Sequence, residues 1–343
     1  MTADSMWGTL LSGQADVMRR AFDTWSAQPV DLDETATPGP AYSADQTTIA
    51  GPVTVRGPGT FLGHETRSIT FEPCAREGWW FDRADRPEDL PTQVSVRNVW
   101  TTGQVVSNIV LRSGDPHNYC RMVEHIIALM PGLGLDRLTV KIDSGDPPLF
   151  ERGSMDLVEA IETAGIVGTG VPVRHVTVRE KVCVCGPNGA FVILAPPAGP
   201  EPRLTIDAAI DFPTAIGRQR VRFVMNRDTF RRASVARTNT SASKKFYCQT
   251  VGRVFADIRH LGYNRRNLLI AGRHGYHNKP RLVHNGRALE AVWHRAALDL
   301  AAALALVEGG RFVGDVATYK AGHALDVKLI ALLHLHDLLV PFP

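Results

Sequence analysis

The chain has 343 residues, of which 44% are hydrophobic and 21% charged, a balance typical of a globular protein large enough for two core-bearing domains. A formal net charge of +3 is too small to indicate a nucleic-acid-binding surface. The apolar runs near 300–307 and 329–340 are shorter than the roughly 20 residues of a membrane-spanning helix, and the N-terminus lacks an export signal. We therefore expect a cytoplasmic protein without a transmembrane segment.

Residues 1–45 form a separate N-terminal segment. Apolar residues recur at helical spacing from Met6 to Trp25, which predicts one amphipathic helix that ends before Pro29. A polar linker over 31–42 follows it. The apolar face of the helix has to be buried, either on the rest of this chain or against a second subunit, so self-association through this helix is an open alternative.

Two successive blocks of strands followed by helices make up the rest of the chain. The first block has extended segments from residue 46, a helix that begins at Glu124, a strand over 138–142 and a helix over 155–164. The second has strands between 173 and 225, then helices over 228–237, 288–307 and 325–339. This order predicts the α+β class, with two two-layer domains.

An adjacent acid and imidazole, Glu124 and His125, begin the first of these helices, which is expected to stop at Pro131-Gly132. A His next to a Glu suits a metal site in which the His is a ligand and the Glu handles the proton of a water molecule. The simpler alternative is a helix-capping Glu beside a half-buried His.

Three blocks of sequence carry a resemblance to a known family: a strand and glycine turn over 46–59, the Val123-Glu124-His125 helix with its following strand and Arg152-Gly-Ser154, and Tyr319-Lys-Ala-Gly-His323. In order and spacing they resemble the zinc-dependent UDP-3-O-acyl-N-acetylglucosamine deacetylase (LpxC) family over 46–343. The resemblance implies two similar α+β domains, 46–170 and 171–343, with the site between them. It also implies a zinc cofactor and hydrolysis of the amide of an acylated amino sugar.

The resemblance assigns roles to individual residues. Glu124 would be the general base, His125 a zinc ligand, and His323 the group that stabilises the oxyanion or protonates the amine, with Lys320 of the same motif as a further catalytic group. The remaining zinc ligands are expected at His294 and Asp299.

The spacing of His294 and Asp299 departs from the family pattern. The family has a His and an Asp four residues apart, a Lys right after the His, and a second Asp one turn beyond the first. Here the spacing is five, about 140° around a regular helix instead of about 40°, and the second acid is replaced by Ala303. A single-turn π-bulge would bring i and i+5 onto one face. We therefore expect a bulged turn together with metal binding, or a regular helix and metal-independent chemistry.

A basic segment over 212–245 replaces the apolar insert that holds an acyl chain in the family. Two interpretations are open for its arginines: a solvated surface, which is the simpler one for most of them, or contact with an anionic group such as a phosphate. The candidate substrate-binding residues are Arg218, Arg220, Arg232 and Arg237. The leading hypothesis is metal-dependent N-deacetylation of an amino-sugar-like small molecule. The alternatives are a zinc-free relative that performs acid–base chemistry, such as cyclisation or elimination, and a non-catalytic binding protein.

Overall fold

A computed structural model describes residues 4–36, 39, 41–102, 108–241 and 261–343. The first strands are β1 Thr9–Ser12, β2 Leu32–Glu34, β3 Asp45–Ile49, β4 Val53–Pro58, β5 Thr66–Pro73, β6 Gly78–Arg83, β7 Thr92–Gln93, β8 Val99–Thr102, β9 Asn108–Arg112, β10 Tyr119–Arg121 and β11 Arg137–Ile142. The later strands are β12 Ile166–Pro172, β13 His175–Val178, β14 Val182–Cys185, β15 Phe191–Ala195, β16 Leu204–Phe212, β17 Gly217–Val224, β18 Thr238–Ser241, β19 Leu268–Ala271, β20 Val283–His284, β21 Arg287–Ala288, β22 Arg311–Phe312, β23 Gly314–Tyr319 and β24 Leu339–Phe342.

The helices are α1 Asp4–Trp7, α2 Ala15–Ser26, α3 Glu124–Ile127, α4 Leu129–Leu133, α5 Met155–Ala164, α6 Arg227–Ala233, α7 and α8 His323–Leu335. Helix α7 has three consecutive parts: Glu290–Trp293, the π-helical His294–Leu300, and Ala301–Leu304. No helix in the described ranges is long and apolar enough to cross a membrane.

The first half of the chain forms a five-stranded sheet in the order β4-β5-β11-β6-β7. Strand β11 lies at its centre, antiparallel to β5 and parallel to β6. Its residues Leu138, Val140 and Ile142 are buried on one face because successive side chains of a strand point to opposite faces. A three-stranded sheet, β10-β9-β8, lies just before α3 in the chain.

Strands of the second half, joined by β1 and β2 of the N-terminal segment at the two edges, form a seven-stranded sheet in the order β1-β14-β15-β23-β16-β17-β2. Strand β14 separates its two faces: Val182 and Val184 join the main core, whereas Cys183 and Cys185 join a smaller apolar cluster on the other side. Helices α7 and α8 contribute to the main core. The chain therefore has the α+β architecture of sheets covered by helices that the sequence predicts.

The N-terminal segment is more broken than the predicted single helix. Two glycines with positive φ, Gly8 at 80° and Gly13 at 119°, divide it into α1, β1 and α2, since other residues rarely adopt this conformation. Strand β2 also interrupts the expected linker. Met18 and Phe22 of α2 are buried in the smaller cluster with Phe191, so this helix packs on its own chain, as the first alternative predicts.

Several helix boundaries differ from the predicted ones. Instead of stopping at Pro131-Gly132, the helix that begins at Glu124 continues as α4 to Leu133 and ends at Gly134, whose φ of 65° closes it. The last helix begins at His323, two residues before the predicted residue 325. It ends at Leu335 instead of residue 339, and strand β24 begins at Leu339.

Candidate active site

The π-helical part of α7 brings His294 and Asp299 together. A π-turn closes i→i+5 hydrogen bonds, so residues five apart lie on one face of the helix. His294 Nδ1 is 3.4 Å from Asp299 Oδ1. The widened turn that the five-residue spacing called for is therefore present.

Two further helices contribute side chains to the same place. Helix α3 brings His125, whose Nε2 is 3.1 Å from His294 Nε2. Helix α8 begins with His323, whose Nε2 is 3.6 Å from Asp299 Oδ1. The structure thus gathers three histidines and one aspartate from sequence positions almost 200 residues apart.

Glu124 completes the group from the first position of α3. Only 3% of its surface is exposed, and its Oε2 accepts a hydrogen bond of 3.1 Å from the backbone N–H of Ile109. Burial raises the pKa of the Glu124 carboxyl, although the nearby His323 opposes this shift. The buried Ser154 hydroxyl donates to the His125 carbonyl and ties α3 to the start of α5.

Burial and mutual contacts give the other groups of this cluster different charges. Burial, helped by His294, lowers the pKa of His125 to about 3, so this ring is neutral. Burial also opposes a charge on His294, but the adjacent Asp299 carboxylate outweighs it and raises the pKa of that ring. For Asp299 the two histidines, His294 and His323, overcome the effect of burial and hold the pKa of its carboxyl below the usual range.

Comparison with known proteins identifies the family. Residues 46–334 match the family model described as LpxC: UDP-3-O-acyl N-acetylglycosamine deacetylase. The chain belongs to this family. The UDP-3-O-acyl-N-acetylglucosamine deacetylase of Thermosynechococcus vestitus is 29% identical over 85% of this chain and 95% of its own length. The proteins of that name from Brucella ovis and Brucella abortus are 27% identical over 85% of this chain and 96% of theirs. LpxC membership supports a deacetylase function in general, that of a hydrolase acting on an amide bond.

The LpxC family is zinc-dependent, and the cluster has some of the features of a zinc site. Its donor types fit, and the two Nε2 atoms lie 3.1 Å apart, close to the about 3.3 Å expected for two nitrogens on one tetrahedral zinc. Asp299 Oδ1 is buried and has no hydrogen-bond partner among the described residues. In the described part of the chain no three such side chains converge as a metal-binding group, because Asp299 lies beside Nδ1 of His294 rather than Nε2. A three-donor site with His125 and His294 would require the Asp299 carboxylate to face the two Nε2 atoms instead of Nδ1 of His294.

The structure does not bring Lys320 into this LpxC-like cluster. Lys320 is exposed, and its ammonium lies 5.6 Å from the centre of the Tyr319 ring. Tyr319 belongs to the smaller cluster with Phe22, on the opposite face of the sheet from α7. The expected catalytic role of Lys320 therefore has no support from its position.

The four candidate substrate-binding arginines are not gathered around the cleft but are each paired with a carboxylate. Arg218 pairs with Asp211, Arg220 with Asp207, Arg232 with Glu34 and Arg237 with Glu290. Arg220 also donates to the backbone carbonyls of Trp25 and Gln28, so it anchors the N-terminal segment. Because these pairs consume the positive charges, they argue for structural roles. Lys244 and Lys245 of the same basic segment lie outside the described residues.

Two arginines that sequence reasoning passed over line a cleft of about 400 Å³ on the outer face of the β8–β10 sheet. The Arg121 guanidinium lies 3.7 Å from the centre of the Phe61 ring, and Arg112 lies 5.2 Å from that of the exposed Trp100. Neither has a carboxylate partner within the described ranges, and Arg121 Nε is buried without a hydrogen bond there. Their alternation with apolar residues along β9 and β10 was the available signal.

A narrow slot of about 20 Å³ opens beside His125, between Met122, Ile126 and Leu149. Its size is that of one water molecule or one methyl group. Slot and cleft are neighbours in the chain, since Arg121 lines the cleft and Met122 lines the slot.

Proposed function

We propose that this protein is a zinc-dependent amide hydrolase that removes the acetyl group from the nitrogen of an amino-sugar-like small molecule. The observation that carries the proposal is the π-turn of α7, through which Asp299 lies beside His294, whose other ring nitrogen contacts His125. Two imidazoles and one carboxylate form a usual donor set of catalytic zinc sites, which keep a further position open. His125, His294 and Asp299 would hold the ion.

The reaction divides between Glu124 and His323. Zinc, when bound, supplies Lewis-acid polarisation of the amide carbonyl and of water. Glu124 takes one proton from the attacking water as the new C–O bond forms at the carbonyl carbon; its raised pKa suits a base that works near neutral pH. His323, in its doubly protonated form, then gives its Nε2 proton to the amide nitrogen as the C–N bond breaks, which releases acetate and a free amine and leaves His323 with its Nδ1 proton.

The cavities next to the cluster favour a substrate with a small acyl group and with a negative charge on another part of the molecule. The slot beside His125 accommodates the methyl of an acetyl group. The adjacent cleft offers Arg112 and Arg121, which have no carboxylate partner in the described part of the chain, beside aromatic rings, and this suits a phosphorylated group. In this proposal the substrate lies between a first domain, 46–170, and a second, 171–343.

Metal content and acetate release test the proposal together. The purified protein is expected to contain about one zinc per chain and to release acetate from UDP-N-acetylglucosamine derivatives with and without a 3-O-acyl chain. His125→Gln and Asp299→Asn should lose both zinc and turnover, whereas His277→Gln, which removes an exposed histidine, should keep both. Turnover that survives chelation and zinc loss would instead support acid–base chemistry without metal. Ligand binding without any turnover would support a binding protein.

A further inference from the structure

A buried ion pair lies directly behind His323. Arg295 Nη2 donates to Asp326 Oδ1 at 2.5 Å, and the two side chains are only 6% and 1% exposed. Arg295 follows His294 in the π-turn, and Asp326 lies three residues after His323 on α8. Each partner is thus attached to an element that carries one side chain of the candidate active site.

Stability alone is a weak explanation for this pair. Removing two charges from water costs several kcal/mol per ion, and buried pairs of this kind are often no more stable than apolar side chains of similar volume. The pair is also incompletely satisfied: among the described residues, Arg295 Nε, Arg295 Nη1 and Asp326 Oδ2 are buried without a hydrogen-bond partner. Buried polar atoms without hydrogen-bond partners at a candidate site point to a functional constraint.

The unpartnered Asp326 Oδ2 has a candidate donor one helical turn earlier on α8, although no nitrogen of His323 lies within 4.0 Å of an Asp326 oxygen. His323 uses Nε2 toward Asp299, and its other nitrogen, Nδ1, is likewise buried without a partner in the described chain. Residues three apart on a helix are neighbours on one face. An imidazole that acts through one nitrogen needs its other N–H bonded, because that bond fixes the tautomer and the ring orientation.

We propose that Asp326, held in place by Arg295, is the positioning residue for His323: its Oδ2 accepts a hydrogen bond from one ordered water that in turn accepts from His323 Nδ1–H, and this link directs Nε2 into the cleft. The kinetic part of this assignment rests on the proposed hydrolysis. The structural part, the tautomer of His323, does not.

The sequence of α7 agrees with this assignment. Ala303 stands where the family pattern has its second acid, four residues after Asp299 in the regular part of the helix, and it is buried. Helix α8 packs against this part of α7. In this chain the carboxylate that faces His323 is supplied by α8 instead of α7.

Asp326→Asn tests the assignment because it removes the charge while keeping the shape. We expect the protein to keep its fold and its zinc, and to lose about 10- to 100-fold in kcat with KM changed less than about threefold, the range seen when a carboxylate that orients a histidine is removed. In 15N spectra of histidine-labelled protein, the His323 ring, assigned with His323→Gln, should carry its proton on Nδ1 in the wild type and lose that preference in the variant. Asp136→Asn, which disrupts a part-buried pair between the residue before β11 and Arg311 of β22, should change neither.

A rescue experiment separates positioning from general damage. Asp326→Asn combined with Ala303→Asp returns a carboxylate to α7. The double variant should recover at least about a third of the loss in log kcat, and its His323 ring should again carry the proton on Nδ1. If Asp326→Asn folds poorly, Arg295→Lys, which keeps the charge but loses the planar fork, should shift the same tautomer signal to a smaller extent. An unchanged His323 tautomer or an unchanged kcat in folded Asp326→Asn overturns the proposal. If the wild type shows no hydrolysis, the proposed hydrolase function fails, but the tautomer of His323 still tests whether Asp326 positions this ring.

Discussion

His294 is the residue through which the candidate site is connected. Its Nε2 is 3.1 Å from both His125 Nε2 and the Thr238 hydroxyl, and its Nδ1 faces Asp299. With His125 neutral, at most one proton lies between the two Nε2 atoms. Either that proton or a shared cation relieves the repulsion of two lone pairs, which is why the metal content of this protein is so informative.

The arginines of the outer cleft give the first prediction. Arg121→Gln and Arg112→Gln should each raise KM for a phosphorylated substrate, by about 5- to 30-fold, while kcat changes little, because a charge-assisted hydrogen bond contributes about 1 to 2 kcal/mol. Steady-state kinetics at two salt concentrations would measure this. Arg222→Gln is the matched control, since its side chain is already paired with Asp33. An equal rise of KM in the control would show that the effect comes from net charge alone.

Gly132 of helix α4, which directly follows α3, gives the second prediction. A Cβ at this position would overlap the ring of the fully buried Phe230. Alanine normally stabilises a helix by about 1 kcal/mol over glycine, but an overlap in a packed core costs about 1 to 3 kcal/mol. Since Phe230 has no room to move aside, we expect Gly132→Ala to lower the free energy of unfolding by about 1 to 2 kcal/mol.

Urea denaturation of Gly132→Ala beside Gly51→Ala provides the comparison. A Cβ at Gly51 meets nothing within 4 Å, so this variant should be neutral or slightly more stable. A stabilised Gly132→Ala would mean that α4 and α6 are less tightly packed than the structure has them.

Single residues also show where sequence reasoning ends. Glu124, His125 and His323 were identified because short motifs surround them. The pairing of the basic segment could not be predicted because its partners are distant in sequence: Arg222 pairs with Asp33 and Arg232 with Glu34, both almost 200 positions earlier. Composition shows an excess of positive charge in a segment, but only the fold shows which charges are neutralised.

At the scale of elements, the π-turn of α7 is equivalent to one inserted residue. Such a turn absorbs the insertion locally, so the helix before it and the helix after it keep their faces. The five-residue spacing of His294 and Asp299 made the turn predictable. The split of the N-terminal helix at Gly8 and Gly13 was less predictable, because isolated glycines occur within helices and the strand between them gains its stability from β14, a distant partner.

Deletion of Ala297 is the third prediction. It should convert the π-turn into a regular turn in which the histidine and the aspartate are four residues apart and still share a face. We expect the variant to fold, to bind as much zinc as the wild type by elemental analysis, and to unfold within a few degrees of the wild type by calorimetry.

The control is the deletion of Ala302, which lies in the regular part of α7. There no wide turn absorbs the loss, so all following residues of the helix rotate by about 100° and its buried face is disrupted. This variant should be insoluble or strongly destabilised. If deletion of Ala297 abolished zinc binding in a folded protein, the π-turn itself, and not only the shared face, would be needed for the metal.

At the scale of the whole molecule, the N-terminal segment closes the seven-stranded sheet. Strand β1 pairs with β14 at one edge, β2 pairs with β17 at the other, and α2 covers the outer face between them. Exposed sheet edges and apolar faces favour aggregation. The segment is therefore expected to matter for stability, while the candidate site lies among helices on the opposite face of the sheet.

Phe22 of α2 carries the last prediction. Its ring packs 5.7 Å from Trp7, 5.3 Å from Trp25 and 6.3 Å from Phe191, measured between ring centres. Phe22→Ala should lower the free energy of unfolding by about 3 kcal/mol, because a large buried ring is replaced by a cavity, whereas Thr24→Ala on the exposed side of the same helix should cost under about 0.5 kcal/mol. Removing residues 1–35 should go further and produce concentration-dependent aggregates, detectable by light scattering. Because α2 lies across the sheet from His125, kcat per folded molecule of Phe22→Ala should equal that of the wild type; a lower kcat at full folding would show that the N-terminal segment also shapes the cleft.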